Sequence, residues 1–150
     1  MCGIAGVFNK KKITDAEIKL IRKMNSIQKH RGPDDEGIFS DESCVLGHRR
    51  LSIVDLSADG HQPFYSDDGF HVLVYNGEIY NYIELRNELE DKGWKFKTKT
   101  DTEVLLKAYL QYGNECLEKF NGMFAFAVYH TKTKRLFIAR DRVGIKPLYY

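Results

Sequence analysis

Cys2 stands directly behind Met1, and a small residue at that place is the situation in which the initiator Met is commonly removed. Removal would leave a thiol and a free α-amino group on one residue. An N-terminal amine titrates near about 7.7–8 and a thiol near about 8.5, so at neutral pH the amine can take the thiol's proton and generate the nucleophilic thiolate. This is the cysteine version of a nucleophile that uses the chain's own amine as general base. Gly3 and Gly6 leave room for a backbone or ligand to come close, while Ile4, Val7 and Phe8 read as a buried strand. The competing reading makes Cys2 a small apolar residue that opens a core strand.

Asn76-Gly77 also has two meanings. Between alternating apolar residues, Asn-Gly is a strong signal for a two-residue hairpin. The residues after it, Ile79 to Lys92, instead have helical spacing, with Tyr82, Leu85 and Leu89 on one face and Gly93 at the stop. A strand that ends in Asn-Gly and leads to a helix presents backbone N–H and side-chain amide donors at a sheet edge, where an oxyanion can be held. His48-Arg49-Arg50 opens a strand-like run with two guanidinium groups. Asp101 follows Thr100 at the start of a helix, and taken alone it is a first-turn acid complementing the helix dipole.

These groups have to be positioned by elements, and the chain alternates strands and helices. Thr14 and Glu17 form a capping box for a helix whose stripe is read as Leu20, Met24 and Ile27 with Ile21 beside it. His30 to Gly37 breaks that helix, and two short strands follow, 38–40 and 44–48, joined at 41–43. Residues 57–69, rich in Ser, Asp, Gly and Pro, read as a loop long enough to line a site. Strands are expected at 71–75, 94–98, 122–129 and 135–139, with a last one starting near Pro147. Thr100 and Glu103 again have capping-box spacing, ahead of a helix with Leu105, Ala108, Tyr109 and Tyr112 on its buried face; a short helix is expected near 115–120. Many strand residues are apolar at successive positions, so both strand faces need cover. That predicts an α+β fold, a layered sandwich with helices outside and sheets inside.

With 150 residues the chain has the length of one domain with a sizeable core. Its 43% apolar and 29% charged residues are ordinary for a globular protein, and a net charge of +2 gives no reason to expect nucleic acid or anionic lipid as a partner. The basic run Lys10 to Lys12 reads as a solvated turn. Cys2, Cys44 and Cys116 are odd in number and widely spaced, which argues against a disulfide framework and a structural zinc site and for a reducing, cytoplasmic location. No segment approaches eighteen successive apolar residues, so no membrane span is expected.

Six stretches occur in register: Met1-Cys2-Gly3-Ile4-Ala5-Gly6, Arg31-Gly32-Pro33-Asp34, 46–56 (Leu-Gly-His-Arg-Arg-Leu-Ser-Ile-Val-Asp-Leu), Tyr75-Asn76-Gly77-Glu78-Ile79-Tyr80-Asn81, Thr100-Asp101-Thr102-Glu103-Val104, and 139–150, which ends in Gly-Ile-Lys-Pro-Leu-Tyr-Tyr. Together they closely resemble the glutaminase domain of glutamine-hydrolysing asparagine synthetases, class II glutamine amidotransferases with the four-layer αββα sandwich of N-terminal nucleophile hydrolases.

The resemblance implies that the Cys2 thiolate attacks the side-chain amide carbon of L-glutamine, with the Cys2 amine as base and then as acid to the departing ammonia. It implies an oxyanion hole from the Asn76 amide and the Gly77 N–H. Arg50 would bind the substrate α-carboxylate and Asp101 the α-ammonium, helped by Glu78, while Leu51, Ser52, Ile53 and Val54 line the pocket. Arg49 would serve structure or a loop contact, and His48 and His71 would be core or edge residues. No metal and no cofactor is expected in this domain; ATP and Mg would belong to a C-terminal synthetase domain that residues 1–150 lack, and the glutaminase domain itself would extend past Tyr150. A homodimer is an open expectation. The alternatives are the glutaminase of another amidotransferase, acting in amino-sugar, phosphoribosylamine or polysaccharide chemistry, and a non-catalytic module that keeps the fold.

Overall fold

The computed structural model describes residues 1–9, 11–53 and 58–150. Two antiparallel sheets lie face to face. The first has the order β1 (Gly3–Phe8), β3 (Cys44–Arg50), β2 (Asp35–Ser40). In the second, β4 (Phe64–Tyr65), β5 (His71–Ile79), β6 (Gly122–His130) and β7 (Arg135–Arg140) lie side by side in that order. Helix α1 (Asp15–Ile27) covers the first sheet; α2 (Tyr82–Asp91) and α3 (Asp101–Tyr112) pack together and cover the second, joined to β6 through α4 (Cys116–Lys119). The stack is therefore four layers, αββα, as the sequence predicts.

Successive apolar residues enter different cores because strand side chains alternate in direction. Along β5, Leu73 and Tyr75 face the helices with Phe124, Phe126, Leu85, Leu89 and Leu105. Val72 and Val74 face the other sheet, against Leu46, Cys44 and Tyr129. Along β3, Val45 turns outward to Ala5 and Ile21 under α1. Both buried thiols outside the site, Cys44 and Cys116, are raised to about 12 by burial.

The capping box at Thr14 is present: its hydroxyl accepts from Ala16 N and its N–H donates to the Glu17 carboxylate at 2.9 Å. The expected stripe of α1 is corrected. Leu20 and Ile27 are 49% and 65% exposed and Met24 points outward too, whereas Ile21 and Asn25 are buried and Ile18 packs beside them. The reason is Gly47 on β3, which lets α1 approach so closely that a Cβ there would strike Ile21 and Asn25. Asn25 Nδ2 then donates to Gly37 O and His48 O.

Other boundaries shift as well. Strands β2 and β3 are longer than expected, running to the ends of the 35–50 region and joined by a turn in which Asp41 Oδ1 accepts from Ser43 N and Cys44 N. The run from His48 leaves the sheet after Arg50, and Val54, Asp55, Leu56 and Ser57, like Lys10, lie outside the described residues. The 58–69 stretch contains a short 3-10 turn and β4. Residues 94–98 are not a strand, because the N–H groups of Lys97 and Thr98 are taken by the Glu103 carboxylate instead of a neighbouring strand. That also leaves only half of the second capping box: Thr100 Oγ1 accepts from Glu103 N, while the Glu103 carboxylate turns to Lys97 N, Thr98 N and Lys107. Residues 147–150 form no strand.

Candidate active site

The antiparallel register of β1 and β3 pairs Gly3 with Arg49, so Cys2 lies beside Arg50 at the end of the first sheet. Leu51 N points at the Cys2 Sγ at 3.4 Å, and the thiol faces Leu51 O at 3.7 Å. The turn after α1 crosses this end. Arg31 Nε donates to Cys2 O at 3.2 Å, Asp34 N to Arg50 O at 3.0 Å, and Ser52 N to Asp34 Oδ2 at 2.8 Å. Gly32 lies so close to Arg49 and Arg50 that a Cβ would collide with their backbone. Arg49 forms an ion pair with Glu36 on β2 at 2.6 Å, the structural role expected of it.

The second sheet supplies the opposite wall. Asn76, Gly77 and Glu78 are not a hairpin turn and do not end the strand: β5 continues to Ile79, paired residue by residue with β6. Gly77 is required there, since a Cβ would collide with Met123 O and the Phe124 backbone. Tyr75, two residues before Gly77, is fixed at three points. Its N–H donates to Gln62 Oε1 at 2.7 Å, its carbonyl accepts from His48 Nε2 at 3.1 Å, and its hydroxyl donates to Asp101 Oδ2 at 2.8 Å. Asp101 also accepts from Ile79 N at 3.1 Å, so the first turn of α3 is tied to β5.

One pocket joins these groups. Cys2, Arg50, Leu51, Ile53, Asn76, Gly77, Glu78 and Asp101 all line it. Ser52 does not, being occupied by Asp34, and Val54 lies outside the described residues. Met1, Gly60, Gln62, Tyr75, Thr100, Thr102, Met123 and Lys146 complete the lining. Sequence reasoning gave Met1 a role only through its removal and Thr100 only as a helix cap, and gave the other six none. Tyr75, Thr100, Thr102 and Lys146 do fall inside the quoted stretches, whereas Gln62 and Gly60 sit in a loop whose composition announces only a turn.

Burial raises the Asp101 carboxyl above the usual range; the hydrogen bonds from Ile79 and Tyr75 oppose this, and Glu78 adds to it. The Tyr75 phenol is pushed well above 10 by burial and by Asp101, so it stays a donor. His48, wholly buried between the sheets, is lowered to about 4 and is neutral at pH 7. Among the described residues no group of three or more His, Cys, Asp or Glu is placed to hold a metal ion. The arrangement is that of an acyl-transfer site: a thiol, a strand carrying amide donors, a guanidinium and a buried carboxylate around one small space.

The family model for the glutamine amidotransferase domain matches residues 1–150. The chain belongs to that family. Asparagine synthetase [glutamine-hydrolyzing] 1 of Bacillus subtilis is 51% identical over all of this chain and 24% of its own length. Asparagine synthetase B [glutamine-hydrolyzing] of Escherichia coli is 46% identical over 99% of the chain and 26% of its own length. The chain thus spans about a quarter of the curated relatives it matches. Among solved structures, the glutamine phosphoribosylpyrophosphate amidotransferase of B. subtilis superposes with a TM-score of 0.76 at 21% identity, over 98% of this chain and 38% of that one. That likeness shows the fold: the glutamine amidotransferase domain here is the four-layer sandwich of that enzyme's chain.

Proposed function

We propose that this glutamine amidotransferase domain hydrolyses the side-chain amide of L-glutamine through a thioester on Cys2. The ammonia would serve an ATP-dependent synthetase domain of the same protein, making asparagine from aspartate. The observation that supports it is the convergence of Cys2, Arg50, Asn76, Gly77 and Asp101 on one pocket. Removal of Met1 frees the Cys2 amine. The neutral amine takes the thiol proton, the thiolate adds to the amide carbon, and the oxygen's developing charge is held by the Asn76 amide and the Gly77 N–H. The protonated amine then gives its proton to the nitrogen, ammonia leaves, and a thioester remains. Water, deprotonated by the same amine, adds to the thioester, and glutamate departs as the thiol is restored.

Arg50 meets the α-carboxylate with its planar fork and Asp101 meets the α-ammonium, with Glu78 beside it. ATP and Mg belong to the synthetase domain, and this domain needs neither. The relatives' names support an amidotransferase, and three free cysteines fit a reducing, cytoplasmic location.

Intact mass before and after incubation with an electrophilic glutamine analogue tests the reading. The expected result is loss of the Met1 mass and one covalent adduct on Cys2, blocked by excess glutamine. A processed, folded chain that takes up no adduct would show a module without glutaminase chemistry.

A further inference from the structure

The turn after β7 delivers a charge into the pocket that the mechanism above does not use. Asp141 staples this turn to β6. Its N–H donates to Phe124 O at 2.8 Å, and its carboxylate accepts from Phe124 N, Ile145 N and Lys146 N at 3.2, 2.8 and 2.9 Å. Gly144 makes the reversal at φ +70°, and Arg142 anchors the outside of the turn on the carbonyls of Leu117, Glu118 and Phe120. The result fixes Lys146, which is 2% exposed, in the pocket that Cys2 and Met123 also line.

Among the described residues, the Lys146 ammonium has one hydrogen-bond partner, the Met1 Sδ at 2.8 Å. A buried ammonium ordinarily sits against a carboxylate or several oxygens, because burying a charge without partners is costly. Here the partner is a weak thioether acceptor on the residue whose removal creates the Cys2 amine. When Met1 leaves, the ammonium loses that partner and shares the pocket with the new amine, which stands where the Met1 peptide bond was.

The charges around the pocket show what this does. Arg50 comes from the end of β3, Glu78 from β5, Asp101 from the first turn of α3 and Lys146 from the turn after β7, with the neutral Tyr75 phenol between. Arg31 adds a further cation at the Cys2 carbonyl, so without Lys146 two guanidinium groups would balance two carboxylates; Lys146 is the cation placed against Met1, on the side where the amine forms. A protonated amine cannot take the thiol's proton. A like charge nearby disfavours the protonated form and restores the base.

We propose that Lys146 is a positioning residue of the glutaminase site, whose ammonium keeps the α-amine of Cys2 in its free-base form at neutral pH. This rests on the reading that the Cys2 amine is the general base. Processing then does two things at once: it makes the amine and releases the cation that tunes it.

The test uses the processed chain, its Met1 loss verified by mass, with cysteine labelled by 15N so that the amine's titration is followed directly by NMR. The variants are Lys146→Met, Lys146→Gln and Lys146→Arg. Both neutral variants are expected to raise the amine's midpoint by about one pH unit, and Lys146→Arg to leave it within a few tenths of the parent. The acidic limb of glutaminase kcat/KM is expected to move by the same amount. An unchanged midpoint in folded, processed Lys146→Met and Lys146→Gln would overturn the proposal, whatever the turnover. A midpoint shift in the neutral variants of a parent chain that does not turn over glutamine would support the role of Lys146 and count instead against the glutaminase reading.

Discussion

At the scale of the residue, the pocket separates binding from chemistry. Cys2→Ala removes the nucleophile but none of the groups assigned to the substrate's backbone charges, so turnover should vanish while glutamine still binds. In that background, Arg50→Ala deletes a charge-assisted pair of about 1.5–3 kcal/mol, or about 10–100-fold in affinity. Titration calorimetry with glutamine reads both; an Arg50→Ala chain with unchanged affinity would overturn the carboxylate assignment. Asp101 adds a pH dependence. Burial holds its carboxyl above the ordinary value and the Tyr75 hydroxyl pulls it down, so Tyr75→Phe should raise it further. Because the substrate ammonium needs the ionised carboxylate, the acid limb of glutamine binding should move to higher pH in Tyr75→Phe. A limb that stays in place would mean that Asp101 does not hold the ammonium.

At the scale of the element, the site depends on how closely backbones approach. Arg50 leaves the end of β3 and lays its guanidinium on Gly60, where a Cβ would collide with it. Gly60 is not in the left-handed region, so Gly60→Ala is tolerated by the backbone and acts first on Arg50. The expected outcome is a KM for glutamine raised about tenfold or more, with kcat changed far less, since only groups that hold the substrate move. Equal losses in kcat and kcat/KM would instead place Arg50 in the transition state's own contacts. The same elements show what was legible in the sequence. The Thr14–Glu17 capping box is local, and it formed as read. The buried face of α1 is not local, because Leu20, Met24 and Ile27 and the competing Ile18, Ile21 and Asn25 both have helical spacing; the choice is made by Gly47, twenty residues away on another element. The supposed strand at 94–98 has strand-like residues but meets no partner, since Glu103 takes its N–H groups. In the pocket, Cys2, Asn76 and Asp101 announce themselves by type and place in a motif. Gln62 and Lys146 matter through burial and through contacts with residues distant in sequence, which spacing does not encode.

At the scale of the whole molecule, the site spans two sheets that must keep their distance. Cys2 and Arg50 belong to the first sheet, Asn76 and Gly77 to the second. His48 crosses the gap: a carbonyl only accepts, so Nε2 carries the proton it donates to Tyr75 O, immediately before Asn76. Its Nδ1 has no hydrogen-bond partner among the described residues, and protonating it would put a charge between the sheets. Burial accordingly lowers the ring to about 4, against about 6.5 in an unfolded chain. The sign follows from proton counting. Between those values the unfolded state binds the extra proton, so stability is full above about pH 6.5 and falls as the pH drops towards 4. At pH 4.5 the loss from this one group amounts to about 2–3 kcal/mol. Urea unfolding of the chain and of His48→Gln at pH 7 and pH 4.5 isolates it, because every other titrating group is common to both. The Gln variant keeps a donor but cannot protonate, so its loss on acidification should be smaller by that amount. Equal losses would mean that His48 protonates in the folded protein, and the bridge from Tyr75 to the first sheet would then be wet. A neutral, dry bridge makes the β5 wall of the pocket as firm as the sandwich itself, which ties the proposed oxyanion hole and acid stability to the same ring.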